Sequence, residues 1–188
     1  MNDHFYDYLL KQLNGISRIA VMENAGKTQK EIIKLTEYIR YKFGRKKEIV
    51  KLQDELSAVN NLIALYISRM GDQLIYKEEL VSGAKEIYLP HYTVMTFIEN
   101  CLDHAFQTKE GIWEIRLTVE SEKDGYLLII EDNGEGFEGF DRSVNGQISN
   151  TSIYSMLQKL SDYYNPEQDL LKIESNQLGT TIKLRLVK

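Results

Sequence analysis

Phe97-Ile98-Glu99-Asn100-Cys101-Leu102-Asp103-His104 and, further along, Glu131-Asp132-Asn133-Gly134-Glu135-Gly136-Phe137 are the two stretches on which the reading of this chain turns. The first lies in a segment, 91–106, that Pro90 is expected to open as a helix, since proline suits a helix's first turn. Thr96, Glu99, Asn100, Asp103, His104 and Gln107 recur at i, i+3, i+4, i+7, i+8 and i+11, so they share one polar face. Val94, Phe97, Ile98, Cys101, Leu102 and Ala105 fill the other. Such a face is either simply wet or turned toward a ligand, and a ligand needs a second element opposite. The second stretch offers one, because it follows an apolar strand, Tyr126–Glu131, where the chain leaves a sheet. Two glycines spaced by one residue let the backbone approach a ligand closely. Asp132 can accept a hydrogen bond from an exocyclic amine, which favours adenine over guanine. The competing reading is a plain hairpin turn, since Asp-Asn-Gly is good turn chemistry. Gly179-Thr180-Thr181, expected between the last two strands, is a weaker third element.

Outward from these stretches the pattern changes near residue 72. Before it, helical periodicity predicts helices over about 4–23, 27–44 and 52–70. In the first, Phe5, Leu9, Leu13, Ile16 and Ala20 form an apolar stripe. Glu23-Asn24-Ala25-Gly26 is a short join with turn chemistry, so the first two helices should fold back on one another. The third ends at Gly71-Asp72. After residue 72 come strands over 73–80, 113–121, 126–131, 169–175 and 180–187, with helices over 91–106 and 152–163. Lys123-Asp124-Gly125 signals a hairpin between two of the strands. The order predicts an α+β chain with its helices on one face of a sheet. Three parts follow: a helical hairpin over 1–50, a connecting helix over 51–72 and an α/β domain over 73–188.

Composition narrows the function classes. The 188 residues are 43% hydrophobic and 27% charged, an ordinary globular balance. A chain of this size can bury roughly 70% of its unfolded surface. The net charge of −5 argues against nucleic acid as partner, and Arg45-Lys46-Lys47 is too short to reverse that. The lone Cys101 excludes a disulfide framework and a cysteine metal cage, and suits a reducing cytoplasm. The longest apolar runs, such as Leu127-Leu128-Ile129-Ile130, fall far short of the roughly 20 residues a membrane-spanning helix needs. No secretory signal pattern opens the chain. The expectation is a cytoplasmic segment without membrane contact of its own, which leaves room for it to be the soluble part of a membrane-anchored sensor.

Taken together, these residues resemble the ATP-binding core of sensor histidine kinases of the LytS/YehU/YesM type, built on the Bergerat fold. Phe97 to His104 is similar to the family's N box, and Asp132, Gly134 and Gly136 to its D-x-G-x-G box. Gly179-Thr180-Thr181 resembles its late G-T-T element. Leu35-Thr36-Glu37-Tyr38-Ile39-Arg40-Tyr41 looks like its L-S-x-L-L-R-Y, and Ser68-Arg69-Met70-Gly71-Asp72 like its x-R-F-G-D. The resemblance covers nearly the whole chain. It implies a mixed sheet, ATP and Mg²⁺ as cofactors, a response regulator as partner, and a homodimer through the hairpin, because one hairpin cannot bury both apolar stripes alone. It further implies that Asn100 binds Mg²⁺, that Glu99 acts as base or polarising group, and that Asp132 holds adenine in a pocket shaped by Gly134 and Gly136. Asp103, His104, Gly179, Thr180 and Thr181 complete the implied nucleotide site, with Thr181 near the adenine.

Three positions depart from the family pattern. Ungapped alignment of the first helix puts Asp7 where the phosphoaccepting histidine should stand, while His4, in Asn2-Asp3-His4-Phe5, mimics the acceptor motif three residues earlier. The glycines of the nucleotide lid are replaced by Asn150-Thr151-Ser152-Ile153. Asp103 stands where the family usually has a lysine. The leading expectation is therefore a histidine kinase core that phosphorylates a histidine, His4 being the candidate, and passes phosphate to a response regulator. The alternative is a catalytically degenerate relative serving as a dimerisation or regulatory module. A third class, an ATP-binding switch that docks a partner protein, sits poorly with the helical hairpin.

Overall fold

The computed structural model describes residues 3–44, 48–105, 110–136, 151–164 and 170–187. Helices α1 (Asp3–Met22) and α2 (Gly26–Phe43) form the hairpin, reversed at Asn24, whose φ is 56°. The two run antiparallel, for the Tyr6 hydroxyl near the start of α1 lies beside Gly44 at the end of α2. The apolar stripe expected on α1 divides in two: Leu13 and Ala20 are buried, whereas Phe5 and Ile16 are exposed with Tyr8 and Ile19. One hairpin can cover only the inner half of such a stripe.

A short strand, β1 (Ile49–Lys51), leads into α3 (Leu52–Met70), and β2 (Leu74–Leu80) follows. Strand β1 pairs antiparallel with β3 (Tyr88–Pro90), so the stretch before residue 72 is not wholly helical. Pro90 is the last residue of β3, not the opening of a helix. Helix α4 starts three residues later (Thr93–Asn100), because Tyr92 takes a left-handed conformation, φ 76°, at its N-cap. After Asn100 the backbone widens into a π-helical turn, Cys101–Ala105, where a regular helix to 106 is expected from the sequence.

The main sheet adds β4 (Trp113–Glu122), β5 (Gly125–Asp132), β6 (Leu171–Asn176) and β7 (Gly179–Val187), in the order β2-β4-β5-β7-β6. Strands β2 and β4 are parallel and the other pairs antiparallel, so the sheet is mixed as expected. Side chains alternate across each strand. Ile115, Leu117, Val119, Leu128, Ile130, Ile182 and Leu184 point inward and form one core with Leu56, Val59 and Leu62 of α3 and Phe97 and Ile98 of α4. Met156 and Leu160 of α5 (Thr151–Tyr163) complete it. The opposite face carries ion pairs such as Lys77–Glu114 at 2.7 Å and Lys183–Glu174 at 3.5 Å. Its polarity is why the helices gather on one side only.

Candidate functional site

The site is built where α4 passes the end of β5. Helix α4 has no side-chain cap of its own. Glu55 of α3, fully buried, supplies one: its Oε2 accepts from the Met95 backbone N–H at 3.1 Å and its Oε1 from that of Tyr92. These are amides a helix start leaves without intrahelical partners. The Tyr41 hydroxyl of α2 also donates to Glu55. Burial pushes the Glu55 carboxyl above its ordinary range despite these hydrogen bonds, which work the other way. Burial and the facing Glu55 charge likewise push the Tyr41 phenol up. His91 stacks on Tyr41 with ring centroids 4.6 Å apart, and its Nε2 lies 3.1 Å from the Tyr41 carbonyl. Hairpin, connecting helix and α4 thus share one buried junction.

At the other end of α4, Glu99 and Asn100 are half-buried. Asn100 donates its amide nitrogen to the Thr96 carbonyl at 2.6 Å, so its side-chain oxygen is the atom suited to a hard cation. Thr96, expected on the wet face, is buried and bonds the Tyr92 carbonyl at 2.6 Å. Glu99 accepts from Lys42 at 2.6 Å, from Tyr92 at 2.5 Å and from Tyr38. Asp103 is exposed and receives the Tyr66 hydroxyl at 3.4 Å, while the Arg69 guanidinium lies 4.5 Å from the Tyr66 ring centre. His104 is within the π-helical turn.

Asp132 faces this helix. Its Oδ1 accepts from the Gly134 N–H at 2.8 Å and the Thr180 N–H at 3.3 Å, and its Oδ2 lies 3.4 Å from the Cys101 sulfur. Burial, then the adjacent carboxylate, raises the Cys101 thiol well above its usual value, so it donates as a neutral S–H. This contact joins the residue after Asn100 to the acid that ends β5. Main chain closes around Asp132 tightly. A Cβ on Gly179, φ 137°, would come within 1.9 Å of the Asp132 carbonyl oxygen. One on Gly136, φ 67°, would come within 2.0 Å of the Asn176 carbonyl oxygen. Gly134, between Asp132 and Gly136 in sequence, is buried. Asp132 makes a local turn by accepting from the Gly134 N–H, but the next described element after β5 is helix α5, so the plain hairpin expected as the competing reading is not what this loop forms.

Two sequence expectations change here. Gly179-Thr180-Thr181 opens β7 itself, with the turn falling at 177–178. It is Thr180, buried and paired with Asp132, that sits beside the acid; Thr181 pairs with Glu131 and turns to the opposite face. His4 and Asp7 are both exposed on α1, at the end of the hairpin where Lys42 reaches Glu99. Residues 151–153 begin α5, with Ile153 buried in the core, whereas Asn150 lies outside the described residues. The residues that sequence reasoning missed are Glu55, Tyr38, Lys42 and Tyr92. Glu55 was traceable, for it occupies the buried spacing of Leu52, Leu56, Val59 and Leu62, where a carboxylate needs a reason.

Comparison with known proteins finds likenesses to histidine kinases. A family profile described as Histidine kinase matches residues 1–74. Sensor protein LytS of Bacillus cereus is 26% identical, covering 100% of this chain and 33% of its own length. LytS of Staphylococcus haemolyticus is 22% identical over 99% of this chain and 32% of its own. Among solved structures, the catalytic domain of histidine kinase ThkA superposes with a TM-score of 0.52 at 13% identity, covering 77% of this chain and 98% of that domain. Acinetobacter baumannii histidine kinase AdeS gives 0.50 at 12%, covering 96% and 95%. The helices and mixed sheet share the fold of these histidine kinase structures. By sequence the chain is similar over nearly its whole length to LytS-type sensor histidine kinases, and it spans about a third of the length of the curated relatives it matches.

Proposed function

We propose that this chain is the ATP-binding and phosphotransfer core of a two-component sensor kinase, working in the cytoplasm. The observation that carries the reading is the contact of Cys101 with Asp132, which brings the acid ending β5 against the helix of Glu99 and Asn100. The residues present fit Mg-ATP at two of its three parts. Asp132, aimed by the Gly134 and Thr180 amides, would accept from the adenine amino group. The Asn100 oxygen would serve Mg²⁺. Among the described residues no group of three acidic, histidine or cysteine side chains could hold a metal, so the ion's other ligands would be phosphate oxygens and water, as is usual for Mg²⁺. At the phosphate part, Asp103 brings a negative charge where the family has a positive one. ATP, when bound, supplies the transferable phosphoryl group, and the chain's contribution is positioning and charge neutralisation. Glu99 stands at the hairpin side of α4, on the side of His4, the candidate acceptor. A response regulator would take the phosphate onward.

Homodimer formation belongs to the same proposal. Phe5, Tyr8, Ile16 and Ile19 of α1 and Ile33 of α2 are exposed, and a second hairpin would cover them in a four-helix bundle. Among the described residues no helix is long and apolar enough to cross a membrane.

Calorimetry with Mg-ADP tests the nucleotide reading, and a titration that stays flat at millimolar nucleotide selects the degenerate-module alternative. Incubation with γ-labelled ATP tests transfer. Acid-labile, alkali-stable label that vanishes in His4→Ala supports His4 as acceptor, and undiminished label removes it.

A further inference from the structure

Glu99 is held by donors that nucleotide binding does not require. A single oxygen, Oε1, accepts from the Lys42 ammonium, the Tyr92 hydroxyl and the Tyr38 hydroxyl. Two of these three come from α2 of the hairpin. Lys42 is enclosed in turn: its Nζ lies 5.6, 5.8 and 5.5 Å from the ring centres of Tyr38, Phe43 and Tyr92, and 3.1 Å from the Tyr38 hydroxyl. Burial works against its charge, but the Glu99 and Tyr38 hydrogen bonds outweigh burial and keep the ammonium above its ordinary pKa. A carboxylate oxygen engaged by one ammonium and two phenols is fixed in direction by charge-assisted hydrogen bonds.

The neighbouring contact differs in kind. Tyr41, one residue before Lys42, is bound to the fully buried Glu55, whereas the Lys42 and Glu99 side chains keep 29% and 18% exposure and can exchange each other for water. Tyr92 lies at the start of α4 and travels with Glu99. Lys42 and Tyr38 travel with α2. We propose that Lys42 and Tyr38 are positioning residues that hold Glu99 in a resting geometry, and that a turn of α2 about the Tyr41–Glu55 junction releases it. The consequence for catalysis rests on the nucleotide reading above; the contact itself does not.

The test is lysine modification of the full chain by a small amine reagent, read by mass spectrometry. Lys42 should react roughly tenfold more slowly than exposed Lys85, the worth of one charge-assisted hydrogen bond. Glu99→Gln should abolish most of that protection with the circular dichroism spectrum unchanged, and a non-hydrolysable Mg-ATP analogue should weaken it in the native chain. In the transfer assay Lys42→Met should raise the rate by up to roughly tenfold at unchanged nucleotide affinity, with Lys42→Arg restoring the resting rate. Equal reactivity of Lys42 and Lys85, protection indifferent to Glu99→Gln, or a Lys42→Met rate that falls would each overturn the proposal. Glu99-dependent protection without any calorimetric nucleotide binding would sustain the contact and remove the kinase reading instead.

Discussion

The two ends of the candidate site are fixed by different kinds of atoms. Around Asp132 two donors are main-chain amides, joined by the Cys101 thiol, and the packing is glycine against carbonyl. Around Glu99 and Glu55 the contacts include side chains from a separate helical unit. Main-chain geometry survives most substitutions and cannot respond to the hairpin. Side-chain donors can be exchanged or withdrawn, so the end nearer the hairpin is the one able to receive a signal.

The largest way to break this contrast is Gly179→Ala. A Cβ 1.9 Å from the Asp132 carbonyl oxygen, at φ 137°, must displace the end of β5. Denaturant unfolding should show a loss of about 3 kcal/mol or more, with nucleotide affinity falling alongside. Next, Glu55→Ala strips the α4 amides and Tyr41 of their acceptor and should cost about 2–3 kcal/mol in the same measurement. Glu55 also carries a pH signature. Its carboxyl is held above the ordinary 4.5, so the folded state binds this proton more tightly than the unfolded one. Its contribution is fully present below 4.5 and is lost as pH rises through the elevated folded value. The stability advantage of the native chain over Glu55→Gln should therefore shrink from acid toward neutral pH in paired urea titrations.

Asp132→Asn leaves the fold and should weaken Mg-ADP binding by about 1–3 kcal/mol in calorimetry. Indifference to that change would show that Asp132 serves its own turn only. The smallest effect belongs to the open sheet face: Arg185→Ala, which removes an exposed pair with Glu122 at 2.9 Å, should shift stability by less than about 1 kcal/mol.

Much of this architecture was legible because it is written in local pattern. The spacing on α1, α2 and α3, the Lys123-Asp124-Gly125 turn and the alternation in β4 and β5 place those elements within a residue or two of their observed limits. The pairing of β1 with β3 was not legible, since each strand is three residues long and its partner lies far along the chain. Pro90 misled because a proline that ends a strand and one that opens a helix look alike in sequence. The π-helical turn at Cys101 leaves no trace in hydrophobic periodicity, although it follows directly on Asn100. Of the candidate site residues, Asn100, Asp132 and Gly136 stand out in the sequence by residue type. The donors to Glu99 were not, because Tyr38 and Lys42 lie 61 and 57 residues away and read as ordinary hairpin surface.

The cap that Glu55 provides also bears on how the chain assembles. The first turn of α4 is completed by a side chain 37 to 40 residues upstream, so it has no local nucleus of its own. Helix α3 must dock before α4 is secure, and amide hydrogen exchange at Met95 should be no slower than at the middle of α3. The start of the segment that bears Glu99 and Asn100 thus forms only once α3 is in place.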